Sequence, residues 1–195
     1  MRWTRWTALT ASLAGLAVAA LTLSCATSQR ATPAPMTQQQ KLERGEYLTT
    51  IMACNDCHTP GTFFGAPDFE RKFAGSELGW VGPWGTTYAR NLTPDTETGI
   101  GSWSEDDIVK TIRTGQRADG SPVLPPMPWP MYSRLSDEDA YAIAAYLKSL
   151  PSVTHKVPDK LRPGSKPAAT DWVFPKPAAW DAPKAPPEGA AGDTA

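Results

Sequence analysis

The chain has 195 residues, 20 % of them charged and 41 % hydrophobic, and a formal net charge of −1. That length suits one domain with extensions, and the balanced charge leaves no basic field for binding nucleic acid. Removing residues 1–24 takes away Arg2 and Arg5 and no acids, leaving about −3, a mildly acidic surface compatible with a basic partner.

Arg2 and Arg5 precede the uncharged stretch TALTASLAGLAVAALTLSC. Its apolar part runs about Ala8 to Leu23 and is interrupted by Thr10, Ser12 and Thr22. Such a segment reads as an export signal over residues 1–24 rather than a stable membrane span. Leu23-Ser24-Cys25-Ala26 resembles a bacterial lipoprotein cleavage site, which would make Cys25 the lipidated first residue. Thr22 stands where leucine is usual. The alternatives are cleavage at Ala17-Val18-Ala19 or an uncleaved anchor. Residues 25–40 are polar, with Pro33 and Pro35, and read as a flexible tether. The expectation is a domain on the periplasmic side of a Gram-negative bacterium, held to the membrane through Cys25.

TQQQKLERGEYLTTIMAC reads as a first helix. Thr37 and Gln40 have capping-box spacing, and Leu42, Gly45, Leu48, Ile51 and Met52 recur at helical spacing. Gly45 weakens a helix but allows another to approach closely.

Cys54-Asn55-Asp56-Cys57-His58 follows. A structural zinc site needs four nitrogen or sulfur ligands. Beyond the signal and Cys25, the chain offers only Cys54, Cys57, His58 and His155. His58 adjoins Cys57, and His155 lies in a proline-rich tail, so the set is poor. A thioredoxin-type pair belongs at a helix start after a strand, and no such pattern precedes Cys54. A plain disulfide leaves His58 without a role. Covalent haem uses all three residues: two thioethers to the vinyl groups and an adjacent imidazole to the iron. The motif occurs once, so one haem c is expected. His58 should donate its other ring nitrogen to a backbone carbonyl, which orients the ring.

Residues from Pro60 to Ser102 are rich in Gly, Pro and Trp, and a stretch so long needs a cofactor to pack against. Within it, YARNLTPD offers Tyr88, Arg90 and Asn91 as haem-propionate contacts or, equally, as parts of a capped turn. SEDDIVKTIRTG reads as a second helix, capped by Ser104 and stopped by Gly115, with Ile108 and Ile112 on one face. Glu105, Asp106 and Asp107 complement its positive end.

DGSPVLPPMPWPMYSRLS is turn and extended chain. Met127, framed by Pro125, Pro126 and Pro128, is favoured as the second axial ligand. Met131, His155 and an open site remain alternatives, and Met52 is core filler. Trp129 packs near the haem or simply in the core. SDEDAYAIAAYLKSLP is the clearest helix, capped by Ser136, with Ala140, Ile143, Ala144 and Leu147 in a stripe whose alanines suit Gly45. Nine prolines lie between Pro151 and Pro187, so the compact domain is expected over 41–151, with 152–195 a Pro/Ala-rich extension. Strand signals are weak throughout.

Four segments carry a resemblance: ERGEYLTTIMACNDCHTP, NLTPDTETGIGSWSEDDIVKTIRTG, DGSPVLPPMPW and LSDEDAYAIAAYLKSLP. Together they resemble class I c-type cytochromes, and more narrowly the cytochrome c subunits of bacterial periplasmic alcohol, aldehyde and sugar dehydrogenases. The resemblance spans about Leu42 to Pro151. It implies an all-α fold of three main helices and long loops around one covalent haem, with first and last helices crossing beside it. It also implies Cys54 and Cys57 as attachment points, with His58 and Met127 as axial ligands. Those subunits often carry three haem motifs, whereas this sequence has one.

The function expected is one-electron carriage, without catalysis, between a dehydrogenase upstream and an oxidase or similar acceptor downstream. A peroxidase-like or thiosulfate-oxidising haem enzyme would need a labile sixth site with an acid–base residue. A haem-based sensor would need an output segment such as the tail.

Overall fold

In the computed structural model, the residues described are 35–168 and 170–174. The expected export signal, Cys25 and residues 175–195 lie outside them. One compact unit begins at Met36. Five α-helices occur among the described residues: α1 (Gln38–Ile51), α2 (Cys54–His58), α3 (Glu105–Thr114), α4 (Trp129–Tyr132) and α5 (Asp137–Ser149).

The three long helices begin where their caps place them. The Thr37 hydroxyl accepts from the Gln40 amide, while the Gln40 side chain accepts from the Thr37 amide. Ser104 and Asp107 make the same reciprocal pair ahead of α3, and Gly115 ends that helix at φ 67°. Ser136 accepts from the Asp139 amide ahead of α5.

α1 packs along α5. A β-carbon at Gly45 would collide with the carbonyl oxygen of Ala142 and lie 2.6 Å from the β-carbon of Tyr146. The close approach is therefore to the backbone of Ala142 rather than to the alanines of the expected stripe. Leu48, Ile143, Ala144 and Leu147 are buried there with Phe73, Ile100 and Ile108. Ile51 is 59 % exposed, unlike its expected companions. Six residues after Gly45, it falls on the flank turned away from α5.

The all-α expectation is corrected. The described residues contain a small three-stranded sheet in the order β2-β1-β3, made of β1 (Gly79–Gly82), β2 (Gly85–Tyr88) and β3 (Trp172–Val173). β1 and β2 are an antiparallel hairpin around Pro83-Trp84, registered Trp80↔Thr87, and β3 lies parallel to β1 with Trp80↔Trp172. Gly85 takes φ 100°, which permits the tight turn. Glycines and a proline dilute the alternation in GWVGPWGTTY, so the strands do not announce themselves in sequence.

The sheet is held by edge-to-face rings. Trp80 meets Phe63 and Trp172, each at 5.1 Å between centroids, and Phe63 meets Trp172 at 4.9 Å. The chain beyond α5 wraps back to reach this sheet. Val157 is buried, the Thr86 amide donates to the Leu161 carbonyl at 3.1 Å, and Leu161 returns the bond at 2.9 Å.

Candidate haem site

α1 and α2 are separated by Ala53, which sits in the left-handed region at φ 55°. That costs a non-glycine residue about 1–2 kcal/mol, and it redirects the chain so that the five residues of the motif form their own turn of helix. Cys54 and Cys57 lie one turn apart on α2, both partly buried and unpaired. Burial pushes the Cys54 thiol up to about 11 and raises that of Cys57 as well. Such thiols lack the stabilised thiolate that a nucleophilic redox pair uses.

His58 is 8 % exposed. Its Nδ1 donates to the carbonyl of Arg90 at 2.6 Å, which leaves Nε2 as the nitrogen free to bind a metal. Burial lowers its pKa, partly opposed by that hydrogen bond, so the ring is neutral, the ligand form. The Gly75 amide donates to the His58 carbonyl at 2.8 Å, and the Ser76 amide to that of Ala89 at 3.0 Å. Gly75, at φ 90°, lies so close to Val157 and Ala89 that a side chain there would collide. Thr59 ties the motif further, accepting from the Phe73 amide at 3.0 Å and donating to Asn55 at 2.6 Å. The only sequence signal for Thr59 is its place immediately after the motif.

Asn91 is buried, with every amide position used inside the protein. It donates to Thr98 Oγ1 at 3.0 Å and to the Val153 carbonyl at 2.8 Å, and it accepts from the Thr93 amide and hydroxyl. This is the capped-turn role, here extended to a clasp on the C-terminal segment. Trp129 is half-buried, and its ring covers the end of α3, 2.5 Å from where a β-carbon on Gly115 would sit. Tyr88 is partly exposed at the end of β2.

Met127 is half-buried at the end of the loop between α3 and α4, directly before Pro128, the N-cap of α4. Thr87 Oγ1 donates to the Pro125 carbonyl at 2.7 Å, fastening that loop to β2. Tyr132 Oη donates to the Met52 carbonyl at 3.2 Å, fastening α4 to the end of α1. Met131 is 77 % exposed. Both ring nitrogens of His155 are engaged, Nδ1 with the Ala74 carbonyl at 2.7 Å and Nε2 with Glu77 at 2.8 Å. No group of three or more His, Cys, Asp and Glu side chains suited to a metal ion occurs among the described residues.

Residues 42–151 match the cytochrome c family. The chain belongs to the cytochrome c family. It is 40 % identical over 121 residues to the cytochrome c subunit of a quinone-type alcohol dehydrogenase from Gluconobacter oxydans, covering 62 % of this chain and 24 % of that protein. It is 33 % identical over 135 residues to the fructose dehydrogenase cytochrome subunit of Gluconobacter japonicus (67 % and 26 %). Over 105 residues it is 43 % identical to the gluconate 2-dehydrogenase cytochrome c subunit of Pantoea cypripedii (54 % and 22 %). The chain thus spans about a quarter of the length of these relatives.

Cytochromes c bind haem covalently through a Cys-x-x-Cys-His motif, and the donor set here fits that group. Two protonated thiols stand one turn apart, and an adjacent neutral imidazole is oriented through Nδ1 with Nε2 unclaimed.

Proposed function

We propose that this cytochrome c is a one-electron carrier with a single haem c, taking electrons from a dehydrogenase and passing them to a respiratory acceptor. Cys54 and Cys57 would hold the haem through thioethers, and His58 and Met127 would supply the ligands to its iron. The observation that carries the reading is the orientation of His58, whose buried ring is fixed by the Arg90 carbonyl on the nitrogen away from the metal position. Bound there, the haem supplies an iron that cycles between ferric and ferrous. The protein's part is to hold the neutral imidazole still and to keep water from it, so that little rearranges as the charge changes.

Met127 as second ligand is supported by elimination. Met131 is largely exposed, and His155 is committed at both nitrogens. Met52 closes α1 with its side chain against the core. Met127 is partly buried on a loop fastened to β2. A dehydrogenase as electron donor is supported by the names of the relatives above. A periplasmic location with a lipid on Cys25 is supported by the N-terminal sequence, which lies outside the described residues.

Absorption spectra of the oxidised and reduced protein test this function. A carrier gives a low-spin, six-coordinate haem, and Met127→Ala abolishes its methionine charge-transfer band. A high-spin wild type that readily binds carbon monoxide or peroxide would overturn the carrier reading in favour of a haem enzyme or sensor. Incorporation of labelled palmitate tests Cys25, and none is expected in Cys25→Ala.

A further inference from the structure

We propose that the aromatic and basic face of the small sheet docks on an anionic phospholipid surface, and so fixes which side of this cytochrome lies against a membrane. The inference goes beyond the carrier reading and takes from it only the expected anchor on Cys25. The face draws on separate parts of the chain. Phe63, in the turn Thr62–Phe64, meets Trp80 of β1 and Trp172 of β3, and Phe174 stacks on Trp80 at 6.1 Å between centroids. Burial in this cluster is one-sided. Trp80 is buried beneath the other rings, whereas Trp172 is 43 % exposed and Phe64, next to Phe63, is 59 % exposed. A contiguous group of large apolar side chains left in water marks a contact surface.

Cations border the same sheet. Leu161 bridges Thr86 on the outer edge of β2, so Lys160 and Arg162 stand at the edge opposite Trp172. At ~4.8 Å per strand, the two edges are about 14 Å apart. Arg162 precedes Pro163, which favours extended backbone there. Side chains alternate along extended chain. Leu161 therefore shares one side of the sheet with Thr86 and Val81, and Lys160 and Arg162 fall on the other, with Trp80 and Trp172. Lys156 and Lys166 lie in the same segment, and all four cations are exposed. None of them has an ion-pair partner among the described residues. Charge is divided along the chain in the same sense. Residues 36–151 carry ten Lys and Arg against fifteen Asp and Glu, while 152–174 carry four against two. An acidic domain with one unpaired basic strip presents that strip to an anionic partner.

A bilayer suits both halves of the face. Trp and Phe rings rest at the headgroup boundary, and Lys and Arg beside them meet the phosphates. The expected tether over residues 25–40 has an end-to-end reach of about 20 Å, which would keep this face within range of the membrane that holds Cys25.

The full-length protein is floated with phosphatidylglycerol-containing vesicles and with pure phosphatidylcholine vesicles, and hydrogen–deuterium exchange is read over 61–64 and 159–166. Exchange in both segments should slow on the phosphatidylglycerol vesicles alone, and high salt should reverse the slowing. Lys160→Gln combined with Arg162→Gln is expected to lower the docked-to-free ratio about thirtyfold. Phe64→Ser should lower it as well, and haem content and absorption spectra should stay as in the wild type. Flotation on both vesicle types with unchanged exchange keeps the anchor and overturns the docking face, leaving that face to an acidic protein or to residues 175–195. Salt-sensitive flotation on phosphatidylglycerol alone, with slowed exchange, keeps the face and overturns the anchor. Flotation on neither overturns both.

Discussion

His58 takes its orientation from the carbonyl of Arg90, 32 residues further along the chain, and its backbone position from Gly75 and Thr59. Asp95 works in the same loop layer. It is 8 % exposed and accepts from the hydroxyl and amide of Thr98 and from the hydroxyl of Thr154. Those bonds, Thr98 first, hold its pKa down from 3.8 to about 2. The stabilisation is fully present above pH 3.8 and is lost as the pH falls through about 2. Melting temperatures measured between pH 2 and 5 should therefore decline for the wild type, with a flatter profile for Asp95→Asn; parallel profiles would remove Asp95 from acid stability. Much of the candidate site was legible at this scale. Cys54, Cys57 and His58 declare themselves because their chemistry depends on adjacency in the chain. Thr59 and Asp95 do not, because what each contacts is decided by loops that meet only in the fold.

Helix boundaries were legible for α1, α3 and α5, because capping is settled within four residues of chain. The crossing of α1 and α5 was legible in part: Gly45 marked the place, and only the structure identified the Ala142 carbonyl opposite it. Gly45→Ala improves helix propensity by about 1 kcal/mol, yet it forces atoms into a filled space at a cost of typically 1–3 kcal/mol. A net loss of stability is expected in urea melts, and a gain would show that the helices can separate cheaply. The sheet was the element missed. Its strands are two to four residues long, and β3 follows β1 by about ninety residues, so no local pattern links Trp80 with Trp172. Trp172→Ala removes two ring contacts, with Phe63 at 4.9 Å and Trp80 at 5.1 Å. At ~0.5–1.5 kcal/mol per pair, this should lower stability by about 1–3 kcal/mol, with loss of near-ultraviolet circular dichroism. No change in either would mean the cluster is not a structural fastening.

For the molecule as a whole, the segment after α5 is the feature that a boundary near Pro151 undervalues. Val153 accepts from Asn91, His155 reaches Ala74 and Glu77, and Leu161 pairs with Thr86. These contacts close the loop layer that holds His58. Ending the chain at residue 151 removes them, and at ~1 kcal/mol per hydrogen bond the loss is several kcal/mol. The shortened protein should melt roughly 5–10 °C lower, with faster amide exchange at Thr86. Unchanged melting would make the segment dispensable to the fold.

The sequence by itself marked the Cys54-x-x-Cys57-His58 motif and the starts of the long helices, since both depend on residues within a turn or two of one another. It also marked the chain as a cytochrome c. Only the tertiary structure decided which carbonyl orients His58 and which strand closes the sheet. Each of these depends on residues far apart in the chain, and nothing in their local pattern specifies the partner.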